Sequence, residues 1–180
     1  MLVISCSYKK RVGKDTFYEI AKSLYPDRKI IRVAFADPLK DEVEKVFLKP
    51  YGFDKAIFLD DNKKDIFRPI LQGWGSFRRE LFDKNYWVNK ALENMTDQDA
   101  IYIITDARYF NELQELSKIG AIKVNIKRDN QFSENEHSSE VELDNHLDMF
   151  DYTIDNNGTT EDFKNKIKEL FDYFFVQYNI

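Results

Sequence analysis

The stretch from Met1 to Leu24 constrains the fold more than any other part of the chain. Leu2, Val3 and Ile4 are contiguous and apolar, so Met1 to Ser7 reads as a buried strand. A basic loop follows, Tyr8-Lys9-Lys10-Arg11-Val12-Gly13. A helix is expected from Lys14, because Phe17, Ile20, Ala21 and Leu24 recur at helical spacing before Pro26. Strand, loop with Gly and Lys, then helix is the frame of a phosphate-binding loop. Unpaired backbone N–H groups at a helix N-terminus favour anions. Lys14 adds a flexible positive charge for the β- and γ-phosphates of a nucleotide. Arg11, Val12, Gly13, Lys14, Asp15 and Thr16 are therefore the expected ATP-binding residues. Two positions depart from G-x-x-x-x-G-K-[ST]. Tyr8 replaces the first glycine, and Asp15 replaces the Mg²⁺-binding hydroxyl. Asp is itself an oxygen ligand for Mg²⁺, and Thr16 offers a hydroxyl one residue on. A basic surface turn before an amphipathic helix is the competing reading.

Along the rest of the chain, Lys29 to Phe35 reads as a second strand. Asp37-Pro38 marks a helix start, with Asp37 as cap and Pro38 in the first turn. Leu39, Val43, Val46 and Phe47 give that helix an apolar stripe, closed by Pro50-Tyr51-Gly52. Residues 53–67 have no clear period and read as a loop or flap. Arg68 to Met95 reads as helix in pieces, broken near Gly73 and Gly75. Ala100 to Thr105 is the best strand in the chain, Phe110 to Ile119 a helix stopped by Gly120, and Ile122, Val124 and Ile126 alternate as a strand. Residues 127–149 are polar, acidic and aperiodic. Tyr152 to Ile154 is a short strand, Asp155 to Gly158 a turn, and Phe163, Ile167, Leu170, Phe171 and Phe174 line the last helix. Strand–helix repetition with helical insertions predicts an α/β fold, a parallel sheet flanked by helices. With 180 residues, one domain spanning 1–180 is expected.

Charge and composition exclude several functions. The net charge of −5 argues against a chain that grips duplex nucleic acid, which carries a basic excess. No run reaches the roughly 20 apolar residues that span a membrane. No signal peptide is evident at the N-terminus. The single cysteine, Cys6, lies in an apolar run and reads as a buried structural thiol. A soluble protein of a reducing, ATP-containing compartment is the expectation. His137 and His146 lack metal-ligand spacing or Cys partners, so no zinc site is expected.

Lys9-Lys10-Arg11 followed by Gly13-Lys14-Asp15-Thr16 resembles the phosphate loop of bacteriophage-type deoxynucleoside monophosphate kinases. Asp15 fits that family; Tyr8, where the family usually has Gly, does not. Further blocks resemble the family in order: Phe35-Ala36-Asp37-Pro38-Leu39-Lys40, Arg68-x-x-x-Gln72-x-x-Gly75, Arg79-Glu80-Leu81, Asp83-x-x-Tyr86-Trp87, Thr105-Asp106-Ala107-Arg108-Tyr109-Phe110-Asn111-Glu112, His137-x-Ser139-Glu140 and Asn156-Asn157-Gly158-Thr159. The resemblance implies a P-loop kinase of the nucleoside monophosphate kinase type. It would have a helical acceptor insertion at about 38–95 and a lid at about 127–149. It also implies ATP and Mg²⁺ as cofactors and small nucleotides as partners, is compatible with a homodimer, and places the protein in the cytoplasm, the host's if the source is viral.

The remaining candidates follow from chemistry and resemblance together. Asp106 ends the best strand, where a carboxylate can hold Mg²⁺, as can Asp15; contact with the acceptor nucleotide or capping of the next helix are the alternatives. Arg108 and Glu112 lie four apart and can pair with each other; the resemblance makes both acceptor ligands. Arg68 and Arg79 are candidates to hold the acceptor phosphate, because a guanidinium meets two phosphate oxygens at once; Arg78 reads as a solvated neighbour. Lys14, Arg79 and Arg128 form the expected catalytic set. Lys10, Asp37, Lys40 and Gln72 join the acceptor side by resemblance. Lys40 is taken to lie in a first helical turn, where the dipole disfavours a cation. Trp87 either stacks on the acceptor base or belongs to the core; for Tyr86 the core reading leads. The expected reaction is phosphoryl transfer from ATP to a deoxynucleoside monophosphate. The rivals are a P-loop kinase for another phosphorylated acceptor, of the dephospho-coenzyme A or phosphomevalonate type, and a nucleotide-binding protein without turnover.

Overall fold

Five strands form one parallel sheet in the order β2-β3-β1-β4-β5: β1 Leu2–Cys6, β2 Ile30–Val33, β3 Ile101–Ile104, β4 Ile122–Lys127 and β5 Tyr152–Asp155. This is a computed structural model, and it describes residues 1–6, 9, 11–129 and 142–179, without the side chains of 59, 61, 62, 64 and 65. The three central strands are buried along almost their whole length, as strands covered on both faces must be. The apolar alternation of β4 is real, but Lys123 and Asn125 between its Ile and Val residues are buried too.

The described residues divide into two compact units, one of Met1–Val33 with Asp97–Ile180, the other of Ala34–Thr96. The first unit carries the sheet. Its core joins Leu2, Ile4 and Cys6 of β1 and Ile101 and Ile103 of β3 to Phe17 and Ala21 of α1 (Lys14–Leu24). The C-terminal helix adds Phe163, Ile167, Phe171 and Phe174 to the same core. A further helix runs over Phe110–Lys118, and Gly120, at φ 70°, takes the left-handed turn that stops it.

The second unit is helical. Its first helix, α2, is Ala36–Val43 and continues through a π turn at Glu44–Leu48 and a 3₁₀ turn at Lys49–Tyr51 to Gly52, at φ 78°. Asp37 is therefore not the cap: Phe35 holds that position, with no side-chain bond to the helix. Lys40 lies two residues further into the helix than expected, in its last turn, and pairs with Asp37 at 3.2 Å. Residues 53–67 are not a loop. Lys55–Leu59 is a 3₁₀ helix, capped by Asp54, and α3 runs unbroken over Asp61–Leu81 through Pro69, Gly73 and Gly75. Each glycine costs about 1 kcal/mol in a helix, but packing of Phe67, Leu71 and Trp74 against Val43, Leu48 and Phe58 outweighs this. Gly75 has its own packing reason. A Cβ there would lie 3.3 Å from Leu39 Cδ2, and its carbonyl accepts the Trp87 indole N–H at 3.0 Å. The last helix of this unit, α4, is Tyr86–Leu92. In chain order, α5 is Phe110–Lys118 and α6 is Thr160–Tyr178.

Candidate functional site

The chain leaves β1 at a fully buried Cys6 and enters α1 through two left-handed residues, Arg11 at φ 57° and Gly13 at φ 107°. For Arg11 that conformation is unusual, as it is for any non-glycine residue. Gly13 is the N-cap of α1 and supplies no side chain to bond the first-turn N–H groups. Lys14 is only 8% exposed, and its ammonium donates to the Lys9 carbonyl, folding the charge back over the loop. Lys9 in turn pairs with Asp144 at 3.0 Å. Asp15 and Thr16 face outward on the first turn, and the Asp15 carboxylate accepts from Arg32 Nε at 3.3 Å. Burial pushes the Cys6 thiol far above its ordinary range, with Lys14 opposing weakly, so it stays protonated. Tyr8 and Lys10 lie outside the described residues.

Two hydroxyls sit at the C-terminal ends of neighbouring strands. Ser5 and Thr105 are buried, and neither hydroxyl has a hydrogen-bond partner among the described residues. Thr105 precedes Asp106, which is half-buried. Asp106 does not cap α5, since Tyr109 is its N-cap. Two other carboxylates hold that first turn. Glu112, 8% exposed, accepts from the backbone N–H of Arg108 at 2.6 Å and of Tyr109 at 3.0 Å, and Glu142 accepts from Phe110 N–H at 2.8 Å. Arg108 and Glu112 thus meet at least through the Arg108 backbone N–H. Arg128 follows β4 and is exposed. Of the expected lid, 130–141, with His137, Ser139 and Glu140, lies outside the described residues. Its end forms 3₁₀ turns at Glu142–Asn145 and Leu147–Met149, with Leu143 fully buried.

The oxygen donors Asp15, Thr16, Thr105 and Asp106 suit a hard cation. Mg²⁺ in phosphate sites takes one or two protein carboxylates and completes its shell with water and phosphate. The orphan Thr105 hydroxyl beside Asp106 fits such a hydrated ion. Among the described residues no group of three or more His, Cys, Asp and Glu could hold a metal unaided.

The other candidates belong to the helical unit. Arg68, Gln72, Gly75 and Arg79 are spaced four, three and four apart, so the unbroken α3 aligns them along one face over about 16 Å. Arg68 and Gln72 are exposed; Arg79 is half-buried, with Nη2 3.5 Å from Ser76 Oγ. Trp87 is 6% exposed and edge-on to Tyr86, which places its indole in the core of this unit. Arg78 is not a solvated neighbour. Its Nε donates to Glu42 at 2.9 Å, and its guanidinium lies 4.9–5.4 Å from the ring centres of Trp74, Phe82 and Tyr86. Glu42 also accepts from Tyr86 Oη at 2.6 Å and Trp74 Nε1 at 3.0 Å. Partial burial alone would raise the Glu42 carboxyl; the bonds from Tyr86, Trp74 and Arg78 win and hold it below its usual range. Sequence reasoning missed this cluster because its members are scattered from 42 to 86. It missed Asn156 as well, whose carboxamide donates to the Val12 carbonyl at 2.7 Å. Only its place in the Asn156-Asn157-Gly158-Thr159 block signalled it.

Comparison with known proteins adds family information to this geometry. The family model for deoxynucleotide monophosphate kinase matches residues 55–167. A putative deoxynucleotide monophosphate kinase of Acanthamoeba polyphaga mimivirus is 27% identical over 194 aligned positions, covering 96% of this chain and 97% of that protein. The deoxynucleotide monophosphate kinase of Escherichia phage RB69 is 27% identical over 128 positions, covering 68% of this chain and 52% of its own length. Among solved structures, dephospho-CoA kinase from Campylobacter jejuni superposes with a TM-score of 0.52 at 18% identity, over 95% of this chain and 96% of that one. At that identity the likeness speaks for the fold alone.

Proposed function

The chain belongs to the deoxynucleotide monophosphate kinase family, and from that premise we infer that it transfers the γ-phosphoryl group of ATP to a deoxynucleoside 5′-monophosphate. The products are ADP and the deoxynucleoside diphosphate. The observation that carries the donor assignment is the turn from β1 into α1, where left-handed Arg11 and Gly13 open onto an uncapped helix N-terminus beside Lys14. Arg11 to Thr16 then form the donor phosphate site, with Lys14 reaching the β- and γ-phosphates. Thr16 and the carboxylates Asp15 and Asp106 would hold Mg²⁺, which when bound neutralises phosphate charge.

The helical unit Ala34–Thr96 spans the residues, about 38–95, that the sequence suggests as an acceptor insertion, and we propose that role for it. Arg68, Gln72 and Arg79 on one face of α3 bind the acceptor phosphate, with Asp37 and Lys40 contributed by α2. Lys10, Arg108 and Glu112 remain acceptor-side candidates, with Glu112 acting chiefly by ordering the turn after Asp106. Trp87 supports this site from the core. The acceptor phosphate is already ionised, so its oxygen attacks the γ-phosphorus without a strong base. The bond from the γ-phosphorus to the bridging oxygen breaks, and ADP leaves. Positioning and charge neutralisation by Lys14, Arg79 and Arg128 supply the catalysis. An ATP-consuming enzyme of this kind works in the cytoplasm, that of the host if the chain is viral.

Coupled ADP release tests the assignment, with the four deoxynucleoside monophosphates set against dephospho-coenzyme A and phosphomevalonate. Turnover with at least one deoxynucleotide and none with the other acceptors is expected. Turnover only with a non-nucleotide acceptor would overturn the acceptor assignment, and ATP binding without any turnover would make the chain a nucleotide-binding protein.

A further inference from the structure

We infer that Asn156, in the turn between β5 and α6, is the positioning residue that sets the conformation of the phosphate loop. The proposal rests on the reading of that loop as the ATP site. Asn156 is 9% exposed, and its Nδ2 lies 2.7 Å from the Val12 carbonyl oxygen. A carbonyl only accepts, so the atom facing it must be the amide nitrogen, and the side chain has one workable orientation. Val12 is itself 2% exposed, and among the described residues Asn156 is the one donor to its carbonyl, so losing that donor would be costly.

The contact also explains Gly13. A Cβ on Gly13 would lie 2.6 Å from Asn156 Nδ2, closer than two such heavy atoms can approach, and φ of 107° is a backbone state that side chains disfavour. The loop is therefore shaped around the carboxamide. Asn156 can serve as a fixed post because its own N–H donates to the Lys127 carbonyl at 2.7 Å, extending the β4–β5 ladder. Asn157 carries the same turn to the other side. Its carboxamide oxygen accepts from Asp129 N–H at 2.6 Å and its nitrogen donates to Asp129 and Asp155, each at 2.8 Å. One turn thus fixes the loop that ends in Lys14 and the residue after Arg128, and a phosphate site needs its N–H donors held to within a fraction of an ångström.

The test compares Asn156→Ala and Asn156→Asp with the wild type by calorimetric ATP binding, by KM for ATP and for the deoxynucleotide acceptor, and by thermal unfolding. Asn156→Asp is isosteric but sets a carboxylate oxygen against the Val12 carbonyl. Both variants are expected to weaken ATP binding about 10-fold or more. The Asn156→Asp loss should exceed that of Asn156→Ala, with acceptor KM within about twofold of wild type in both. If Asn156→Ala does not fold, the isosteric variant carries the comparison. ATP affinity equal to wild type in the folded variants, or an equal rise in both KM values, would overturn the positioning role. A wild-type protein that binds no ATP would overturn the donor assignment itself, a separate outcome.

Discussion

Among single residues, Lys14 is the most exposed to test. Replacing it with alanine should leave the fold intact and lower kcat by about 100-fold or more, the scale of losing one charge contact to the transition state. A folded variant with near-wild-type turnover would remove Lys14 from the donor site. Asp15→Asn and Asp106→Asn should each raise the Mg²⁺ concentration needed for half-maximal rate. Unchanged Mg²⁺ dependence in both would remove them as metal ligands. Arg68→Lys and Arg79→Lys keep the charge but lose the planar fork. Each should lower kcat/KM for the acceptor by roughly 10- to 150-fold, the worth of one charge-assisted bond, while KM for ATP moves little. The reverse pattern would put both arginines on the donor side. The loop around Lys14 was legible in the sequence because its residues are contiguous. Asn156 was not, because its role depends on a contact with Val12, 144 residues away, and nothing local marks such a pairing.

Among the strands and helices, the strands were legible to within a residue or two, since buried parallel strands are continuous apolar runs bounded by polar ones. The helical unit was read less well. Asp61 to Asp65 is uniformly polar and hid the start of α3, while two glycines suggested breaks that tertiary packing overrides. Glu42 joins these helices, binding Trp74 and Arg78 of α3 and Tyr86 of α4. Its carboxyl lies below its usual range in the folded protein, so the folded state holds its proton less tightly than the unfolded chain. The stabilisation is complete above the unfolded value of about 4.3 and is lost as pH falls through and below it. Glu42→Gln should therefore lower Tm near neutral pH and flatten its fall between about pH 5 and 3. A variant whose acid limb parallels the wild type would show that Glu42 does not stabilise this unit through its charge.

Across the chain, the donor-side candidates lie in the sheet unit, while the acceptor-side candidates are divided, with Arg108 and Glu112 in the sheet unit and the α2 and α3 residues in the helical unit. Arg11 to Thr16, Asp106 and Arg128 belong to the sheet unit, Arg68, Gln72 and Arg79 to the helical unit. No described helix is long and apolar enough to cross a membrane. The experiment that bears most closely on the activity follows the phosphoryl group itself. The protein is incubated with γ-labelled ATP, Mg²⁺ and each deoxynucleoside monophosphate in turn, and the label is traced by chromatography, with Lys14→Ala as control. The expected result is label in the deoxynucleoside diphosphate for at least one acceptor, lost with Lys14→Ala. Label that stays in ATP, or appears only as free phosphate, with every deoxynucleotide would contradict it.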